Sequence, residues 1–250
     1  MIHFGARKRH PMAPNSRFVT TSWNTVLAAR EASTVASREA LEALCRTYWY
    51  PVYAFVRRQG VDAEDARDLT QAYFARLLEK GYLEDYDPDR GRFRVFLRTS
   101  VRNFLSKERD KDRSWKRGGR AGIVSLDDDQ IEGRYRIEPV DRLTPEQLYE
   151  RRWALTVLEQ ALARLRHERI EAGRELEFTR LEGFLTGQGA QARYKDIAAE
   201  LGTTEDAVKT ALHRLRRQFG DILRDVIGAT VSSRDEVDDE LKHLLGVMTS

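Results

Sequence analysis

The sequence predicts an all-α protein of two small helical domains joined by a flexible acidic linker. Apolar residues recur at steps of three and four along most of the chain, which is the spacing of a buried helix face. No stretch of useful length alternates apolar and polar residues as a half-buried strand does, and no internal repeat is present. A chain of 250 residues is long enough to form two separate cores.

Composition divides the chain into five segments. Met12, in the first of them, is a second candidate for the start of the protein. The segments are a polar N-terminal tail (1–20), a first helical domain (21–115), a linker (116–143), a second helical domain (144–228) and an acidic C-terminal tail (229–250). Val237, Leu241, Leu244 and Leu245 of the last segment are able to form one short amphipathic turn.

Start and stop signals place the first helices. A short helix is predicted over 22–32, and a longer one is capped by Ser37 and closed by Gly60. Pro51 lies inside the longer helix and should kink or interrupt it, because proline lacks an amide donor. Asp62 is a good cap for the next helix.

The last helix of the first domain, from Phe93 to about Arg113, is basic around an apolar stripe. The segment from Arg90 to Arg120 holds 12 Lys and Arg against 3 acidic residues. Such a helix suits single-stranded nucleic acid, because cations neutralise phosphates and aromatic rings stack on unpaired bases. A solvated basic helix above a core of phenylalanines explains the same pattern.

The linker and its surroundings have the opposite charge. From Ser125 to Glu150 there are 8 Asp and Glu against 3 Arg. The run Asp127 to Asp129 is interpreted as solvated linker charge, because no further ligand completes a metal site.

The second domain opens with a strong helix start. Thr144 is a cap, Pro145 occupies the first helical position, and Gln147 completes a capping box. A further helix is predicted within 172–189. The predicted core-facing stripe of the first helix consists of Leu148, Leu155, Leu158, Leu162 and Leu165.

The segment from Tyr194 to Phe219 has the layout of two short helices joined by a tight turn. Gly202 follows the first helix as its stop, and Thr203 or Thr204 caps the second. One face of the second helix is apolar and the other is basic, which is the form of a recognition helix that enters a DNA major groove. An ordinary helical hairpin with a solvated basic face is the plainer alternative.

Binding is favoured over catalysis. The five histidines are scattered, and no phosphate loop, nucleophile elbow or dinucleotide fingerprint is present, so we expect no catalytic residue, metal or cofactor. No apolar run approaches the length of a membrane span. The single cysteine, Cys45, is expected to be a small buried hydrophobe in a reducing, cytoplasmic compartment.

Three segments, in this order, resemble bacterial RNA polymerase sigma factors of the extracytoplasmic-function (ECF) type. The likeness covers roughly residues 40–115 and 145–227. YWYPVYAFVRRQGVDAEDARDLTQAYFARLL resembles the start of the promoter-melting domain, sigma domain 2. GRFRVFLRTSVRNFLSKERDK resembles its −10 helix, and YKDIAAELGTTEDAVKTALHRLRRQF resembles the −35 helix-turn-helix of sigma domain 4.

The resemblance implies three groups of binding residues. The surface for the clamp helices of the polymerase β′ subunit comprises Asp65, Asp68, Leu69, Gln71 and Phe74. The −10 element is met by Asp87, Arg90, Arg92, Arg98, Arg102, Asn103 and Lys107, with a flipped base held by the loop 85–92. The −35 element is met by Thr204, Lys209, Thr210, His213, Arg214 and Arg217.

The function implied is promoter recognition and strand opening in complex with core RNA polymerase. Its partners would be the β′ clamp helices, the β flap and promoter DNA, with an anti-sigma factor or a kinase as a further candidate. Thr70, among acidic residues of the clamp-facing helix, is a candidate phosphorylation switch.

Two other classes of protein remain as alternatives. A stand-alone helix-turn-helix regulator would explain the second domain, although binding to duplex DNA alone needs no helix for melted strand. A helical enzyme acting on nucleic acid would need a metal or nucleophile cluster.

Overall fold

The computed structural model describes residues 35–78, 86–87, 91–112, 143–187, 193–231 and 235–249. The helix expected over 22–32, the N-terminal tail, Arg90 and nearly all of the linker lie outside these residues. In the described part the regular structure is helical throughout, which confirms the all-α prediction, and no helix there is long and apolar enough to cross a membrane. The helices are α1 (Val35–Arg58), α2 (Ala63–Leu78), α3 (Phe93–Asp112), α4 (Pro145–Glu171), α5 (Glu175–Leu181), α6 (Gly183–Thr186), α7 (Tyr194–Glu200), α8 (Glu205–Gly228) and α9 (Asp235–Thr249).

The helix α1 runs unbroken through Pro51, so the predicted interruption does not occur. The proline is buried, between the buried residues Tyr50 and Val52. The packing of these neighbours compensates for the missing amide donor, since tertiary contacts supply most helix stability in proteins. Gly60, with a φ of 85°, follows the end of the helix as expected.

Three of the predicted helix caps are present, but Ser37 lies inside α1, which begins at Val35. Asp62 accepts a hydrogen bond from the backbone N–H of Asp65 at 2.9 Å, which begins α2. Thr144 and Gln147 form the reciprocal capping box at the start of α4. Thr204, rather than Thr203, caps α8 by accepting from the backbone N–H of Ala207.

The turn between α7 and α8 depends on Gly202. Its φ of 63° is left-handed, and the next backbone N–H, that of Thr203, donates to the carbonyl of Ala198 at 2.8 Å. This closure satisfies a carbonyl in the last turn of α7 and reverses the chain direction. The predicted helix-turn-helix is therefore present as two helices joined by a glycine turn.

The N-terminal half (35–112) and the C-terminal half (143–249) pack directly against each other. The main contact lies between α1 and α4. Phe55 meets Tyr149 edge to face, and the guanidinium of Arg152 lies 4.8 Å above the ring of Tyr50. Buried residues of both halves form one continuous hydrophobic cluster. The position of the second half relative to the first is therefore determined by side-chain packing.

The predicted leucine stripe of α4 is only partly correct. Leu148 and Leu165 are buried, but Leu155, Leu158 and Leu162 are half-buried. The helix contacts α1 on one side and α8 on another, so its buried surface extends around the helix instead of following one stripe. The buried apolar residues that the leucine spacing missed are Tyr149, Trp153, Ala154, Val157 and Ala161.

The C-terminal segment is more ordered than expected. A single amphipathic turn was predicted, but α9 is a helix of 15 residues that packs on α8 and α4. Leu244 is completely buried, and Leu241 and Val237 are partly buried against the core. The apolar spacing was visible in the sequence, but the surface that receives it is built from distant helices.

The glycine turn provides a test of this fold. Alanine at Gly202 should destabilise the protein by about 1 kcal/mol or more, because a left-handed conformation is costly for any residue with a Cβ. Nothing lies within 4 Å of the added Cβ, so the cost would come from the backbone alone. Urea denaturation measures this free energy of unfolding.

Gly220→Ala is the matched control. Gly220 lies inside α8, and its added Cβ would make only an ordinary contact with Arg224 at 3.6 Å. This variant should be more stable by about 0.5 to 1 kcal/mol, since alanine favours the helix interior. Equal stability of Gly202→Ala and the wild type would contradict the turn described above.

Candidate nucleic-acid interface

The first half of α8 separates a buried face from an exposed one. Val208, Leu212 and Leu215 are buried against the C-terminal half. The polar residues predicted to meet the −35 element are all exposed: Thr204, Lys209, Thr210, His213, Arg214 and Arg217. The arrangement follows from helical spacing, and it presents donors and positive charge along one side of the helix.

Local contacts already engage part of this exposed face. The Nζ of Lys209 lies 3.2 Å from a carboxylate oxygen of Asp206, and the hydroxyl of Thr210 donates to the backbone carbonyl of Asp206. The ion pair of Lys209 is solvent-exposed, so it is weak and can be exchanged for a contact to another anion. The hydroxyl of Thr204 accepts the capping bond of α8, and its own hydrogen can still donate to another group.

The basic helix α3 is covered at its start and exposed from its middle onward. Arg102, Asn103 and Lys107, near its middle, are exposed to solvent. Arg92 and Arg98 are partly covered. Arg94, which follows Phe93 at the start of the helix, is only 6% exposed.

Tyr86, upstream of α3, is held by an aromatic cluster. Tyr86 is buried, with its ring centroid 5.3 Å from that of Phe93 and 5.2 Å from that of Phe96. Burial raises the pKa of the Tyr86 hydroxyl to about 12, so it stays protonated at neutral pH. Asp87 is exposed beside it.

Carboxylates from α4 and α9 surround the covered end of α3. Arg94 is paired with Glu150 of α4 and, through Nε at 3.1 Å and Nη2 at 3.2 Å, with both oxygens of Glu240 of α9. Arg98 also pairs with Glu150, at 2.6 Å. The group of three arginines, Arg92, Arg94 and Arg98, is called the arginine end of α3 below.

Arg94 is charged despite its burial. Burial by itself lowers the pKa of a guanidinium, but hydrogen bonds to Glu240 and the negative charges of Glu150 and Glu240 outweigh it and raise the pKa of Arg94. Its guanidinium also lies 4.9 Å from the centre of the Trp153 ring. The arginine thus exchanges its water for two carboxylates and an aromatic face.

The α2 helix presents the expected acidic surface. Asp65 and Asp68 are exposed, and the pKa of Asp65 is raised, first by the charge of Asp62 and then by burial and the charges of Asp68 and Glu64. A cationic partner would relieve this repulsion.

Leu69 and Gln71, also predicted for this surface, are half-buried. Phe74, the fifth residue of the predicted surface, is only 2% exposed and packs edge to face on Tyr73, so it supports the surface from below.

Thr70 does not fit a phosphorylation switch. Its side chain is fully buried, and its hydroxyl donates to the backbone carbonyl of Ala66 at 2.7 Å. The sequence placed it among acidic residues, but it lies on the opposite side of the helix from them. A kinase could not reach this hydroxyl in the folded protein.

Sequence reasoning missed the residues that surround the start of α3, which are Glu150, Trp153, Glu236, Asp239 and Glu240. The available signal was the accumulation of acidic residues near 150 and in the C-terminal segment, opposite a helix rich in arginine. That signal indicates attraction but does not identify partners. Within the described ranges, no group of three or more His, Cys, Asp or Glu residues is arranged to hold a metal ion.

A helical body that presents a basic recognition helix defines a DNA-binding protein of the helix-turn-helix class. The family model of the ECF sigma factors matches residues 53–225, and the chain therefore belongs to the ECF sigma factor family. The predicted resemblance is confirmed, and with it a role as a DNA-binding factor of transcription initiation. Searches of curated proteins and of solved structures gave no match.

The burial of Thr70 gives a direct test. Thr70→Glu should lower the free energy of unfolding by roughly 3 kcal/mol or more, because it places an unpaired carboxylate in the core. Thr70→Val keeps the size of the side chain and loses one hydrogen bond, so about 1 kcal/mol is expected. Thermal or urea unfolding measures both.

Thr179→Glu is the control for this test. The hydroxyl of Thr179 makes the same kind of bond, to the carbonyl of Glu175 four residues earlier, but it is exposed. Its replacement should change stability by less than about 0.5 kcal/mol. Equal effects of glutamate at Thr70 and at Thr179 would show that Thr70 is accessible.

Proposed function

We propose that this protein binds core RNA polymerase, recognises the −35 and −10 elements of a promoter, and promotes strand opening in the cytoplasm. Membership of the ECF family supports the general role. The assignment of steps to individual residues rests on the exposure and charge described above. The observation that carries the proposal is the polar face of α8 between residues 209 and 217. Its exposed side chains are hydrogen-bond donors, while Val208, Leu212 and Leu215 on the other face are buried.

For the −35 element, α8 would lie in the major groove of closed duplex. Lys209, Thr210, His213 and Arg214 occupy the first turns of the helix and would meet base edges, while Arg217, further along, would meet phosphate. Thr204 would contribute by holding the helix start in place.

For the −10 element, Arg102, Asn103 and Lys107 are exposed along α3 and are suited to phosphates of the opened strand. Asp87, beside the anchored Tyr86, would border the pocket for a flipped base, together with Arg90. Arg92 and Arg98 would extend the phosphate track toward that pocket. Each cation that replaces a counterion contributes affinity that decreases with salt.

For the polymerase, the acidic side of α2 would meet basic clamp helices of β′. Asp65 and Asp68 provide the charge, and Leu69 and Gln71 the partly buried contacts, with Phe74 holding the helix from below. Charge complementarity of this kind accelerates association and disfavours wrong partners.

Transcription in vitro with purified core polymerase and a promoter library tests the proposal as a whole. Specific initiation that requires both proteins is the expected outcome. A stand-alone regulator would instead bind duplex DNA tightly without polymerase and leave initiation unchanged.

The −35 assignment predicts a selective defect. Lys209→Ala combined with Arg214→Ala should reduce −35-dependent initiation at least tenfold, because each lost contact is worth about 1 to 3 kcal/mol. Core binding should be unchanged. Run-off transcription and a polymerase pull-down measure the two properties.

Arg180→Ala is the charge control for the −35 variant. Arg180 is a half-exposed residue of α5 that pairs with Glu200 rather than facing outward from α8. Its loss should leave initiation within about twofold, as expected for an exposed ion pair. Similar defects in both proteins would argue against a specific role for the α8 face.

The clamp assignment predicts the reverse behaviour. Asp68→Arg should weaken core binding about tenfold or more, because it places like charge against a basic surface. The helix-turn-helix should remain folded. Titration of labelled core polymerase measures the affinity, and Glu175→Arg, which reverses an exposed charge on α5, is the control. An unchanged affinity for Asp68→Arg would exclude this face from the polymerase contact.

A further inference from the structure

We propose that α9 is an intramolecular competitor of nucleic acid, which occupies the arginine end of α3 in the free protein and must leave before a strand can bind there. This inference rests on the proposed strand-binding role of α3. It concerns a segment that lies beyond the residues matched by the family model, 53–225.

The contact is ionic and involves successive turns of α9. Arg92 lies 3.1 Å from a carboxylate oxygen of Glu236, 3.2 Å from one of Asp239 and 3.5 Å from one of Glu240. Glu240 also accepts hydrogen bonds from Nε and Nη2 of Arg94. Three carboxylates of one helix therefore neutralise two arginines of another.

The geometry resembles the way an arginine binds phosphate. Arg94 donates from Nε and Nη2 to the two oxygens of Glu240, which is the bidentate arrangement that guanidinium groups make with carboxylates and phosphates alike. The side chains of Arg94 and Glu240 are 7% and 4% exposed. A DNA phosphate cannot reach Arg94 while Glu240 is in place.

A second acidic group completes the enclosure from the other side. Glu150 of α4 pairs with Arg94 and Arg98, and the Nε2 of His243 of α9 lies 3.1 Å from Glu150. The His243 ring also lies 6.0 Å from that of Trp153. The α4 helix thus contacts both the arginine end of α3 and α9.

Apolar contacts hold α9 in this position. Leu244 is fully buried, and Val237, Leu241, Val247 and Met248 pack partly against the core. The position of α9 is thus specific, and it places its acidic first half over α3. Charge alone would not select this register.

The α9 helix covers only part of the proposed strand-binding surface of α3. Arg102, Asn103 and Lys107 stay exposed while Arg92 and Arg94 are covered. A strand could bind first to the open part of α3 and then displace the carboxylates next to the pocket. The apparent affinity for single-stranded DNA would be the intrinsic affinity multiplied by the fraction of molecules in which α9 has left α3.

Charge-neutral variants of α9 test this proposal in the full-length protein. Glu236→Gln with Glu240→Gln removes two of the three α9 carboxylates that face the arginines, and leaves Asp239 and Glu150 in place. Asp235→Asn with Asp238→Asn removes the same amount of charge from exposed positions that do not contact the arginine end of α3; Asp238 lies 3.8 Å from Arg224. Binding of labelled single-stranded DNA is followed by fluorescence anisotropy at low salt.

The first pair should bind single-stranded DNA about tenfold more tightly than the wild type, and the control pair no more than about twofold more tightly. Hydrogen exchange provides a second measurement, because DNA should remove protection from 235–249 in the wild type. Transcription with core polymerase should need less of the first variant than of the control.

The outcomes separate the two proposals. Equal affinities of the two variants for single-stranded DNA would overturn the competitor role of α9, and so would unchanged protection of α9 in the DNA complex. Transcription by the wild-type protein would still support the proposed function in either case. Absence of DNA binding in every protein, with and without core polymerase, would overturn the strand-binding role of α3 and this inference with it. Deletion of 232–250 adds an independent arm, since a folded truncation must also bind DNA more tightly.

Discussion

The packing of α1 against α4 is the contact on which the rest of the structure depends. Phe55 and Tyr50 of α1 meet Tyr149 and Arg152 of α4, and this brings residues on either side of the linker into one core. Because α4 is the first helix of the C-terminal half, its position determines where the helix-turn-helix lies relative to α3. Tyr149 also donates to the backbone carbonyl of Arg94 at 3.1 Å, which connects this packing to the start of the basic helix.

The contacts between the arginine end of α3 and the carboxylates of α9 are ionic, unlike the apolar contacts of the core. The apolar contacts of α9 with the core do not depend on competing anions, whereas its ionic contacts with the arginine end of α3 can be replaced by another anion. Burying arginine and glutamate costs desolvation energy that their attraction repays only with good geometry. The bidentate bond of Arg94 to Glu240 meets that condition, and exposed Asp239 contributes a weaker, more easily screened pair.

Much of the local structure could be predicted because its causes are local. Asp62, Thr144 and Thr204 cap helices within three residues of themselves, and Gly202 reverses the chain through its own left-handed conformation. The continuity of α1 through Pro51 and the length of α9 depended on surfaces built elsewhere, so propensity alone misjudged them. The pairing of Arg94 with Glu240 joins residues 146 positions apart, and sequence patterns predict charge attraction without selecting partners at that distance.

The buried position of Arg94 has an evolutionary consequence. Its guanidinium is tolerated in the interior only because Glu150 and Glu240 accompany it, from two different helices. Loss of Glu150 or Glu240 would leave the buried charge of Arg94 without one of its partners. Selection should then favour replacement of the arginine as well. In an alignment of related chains these three positions should therefore vary together, and lineages without a counterpart of α9 should carry a smaller or uncharged side chain where Arg94 stands.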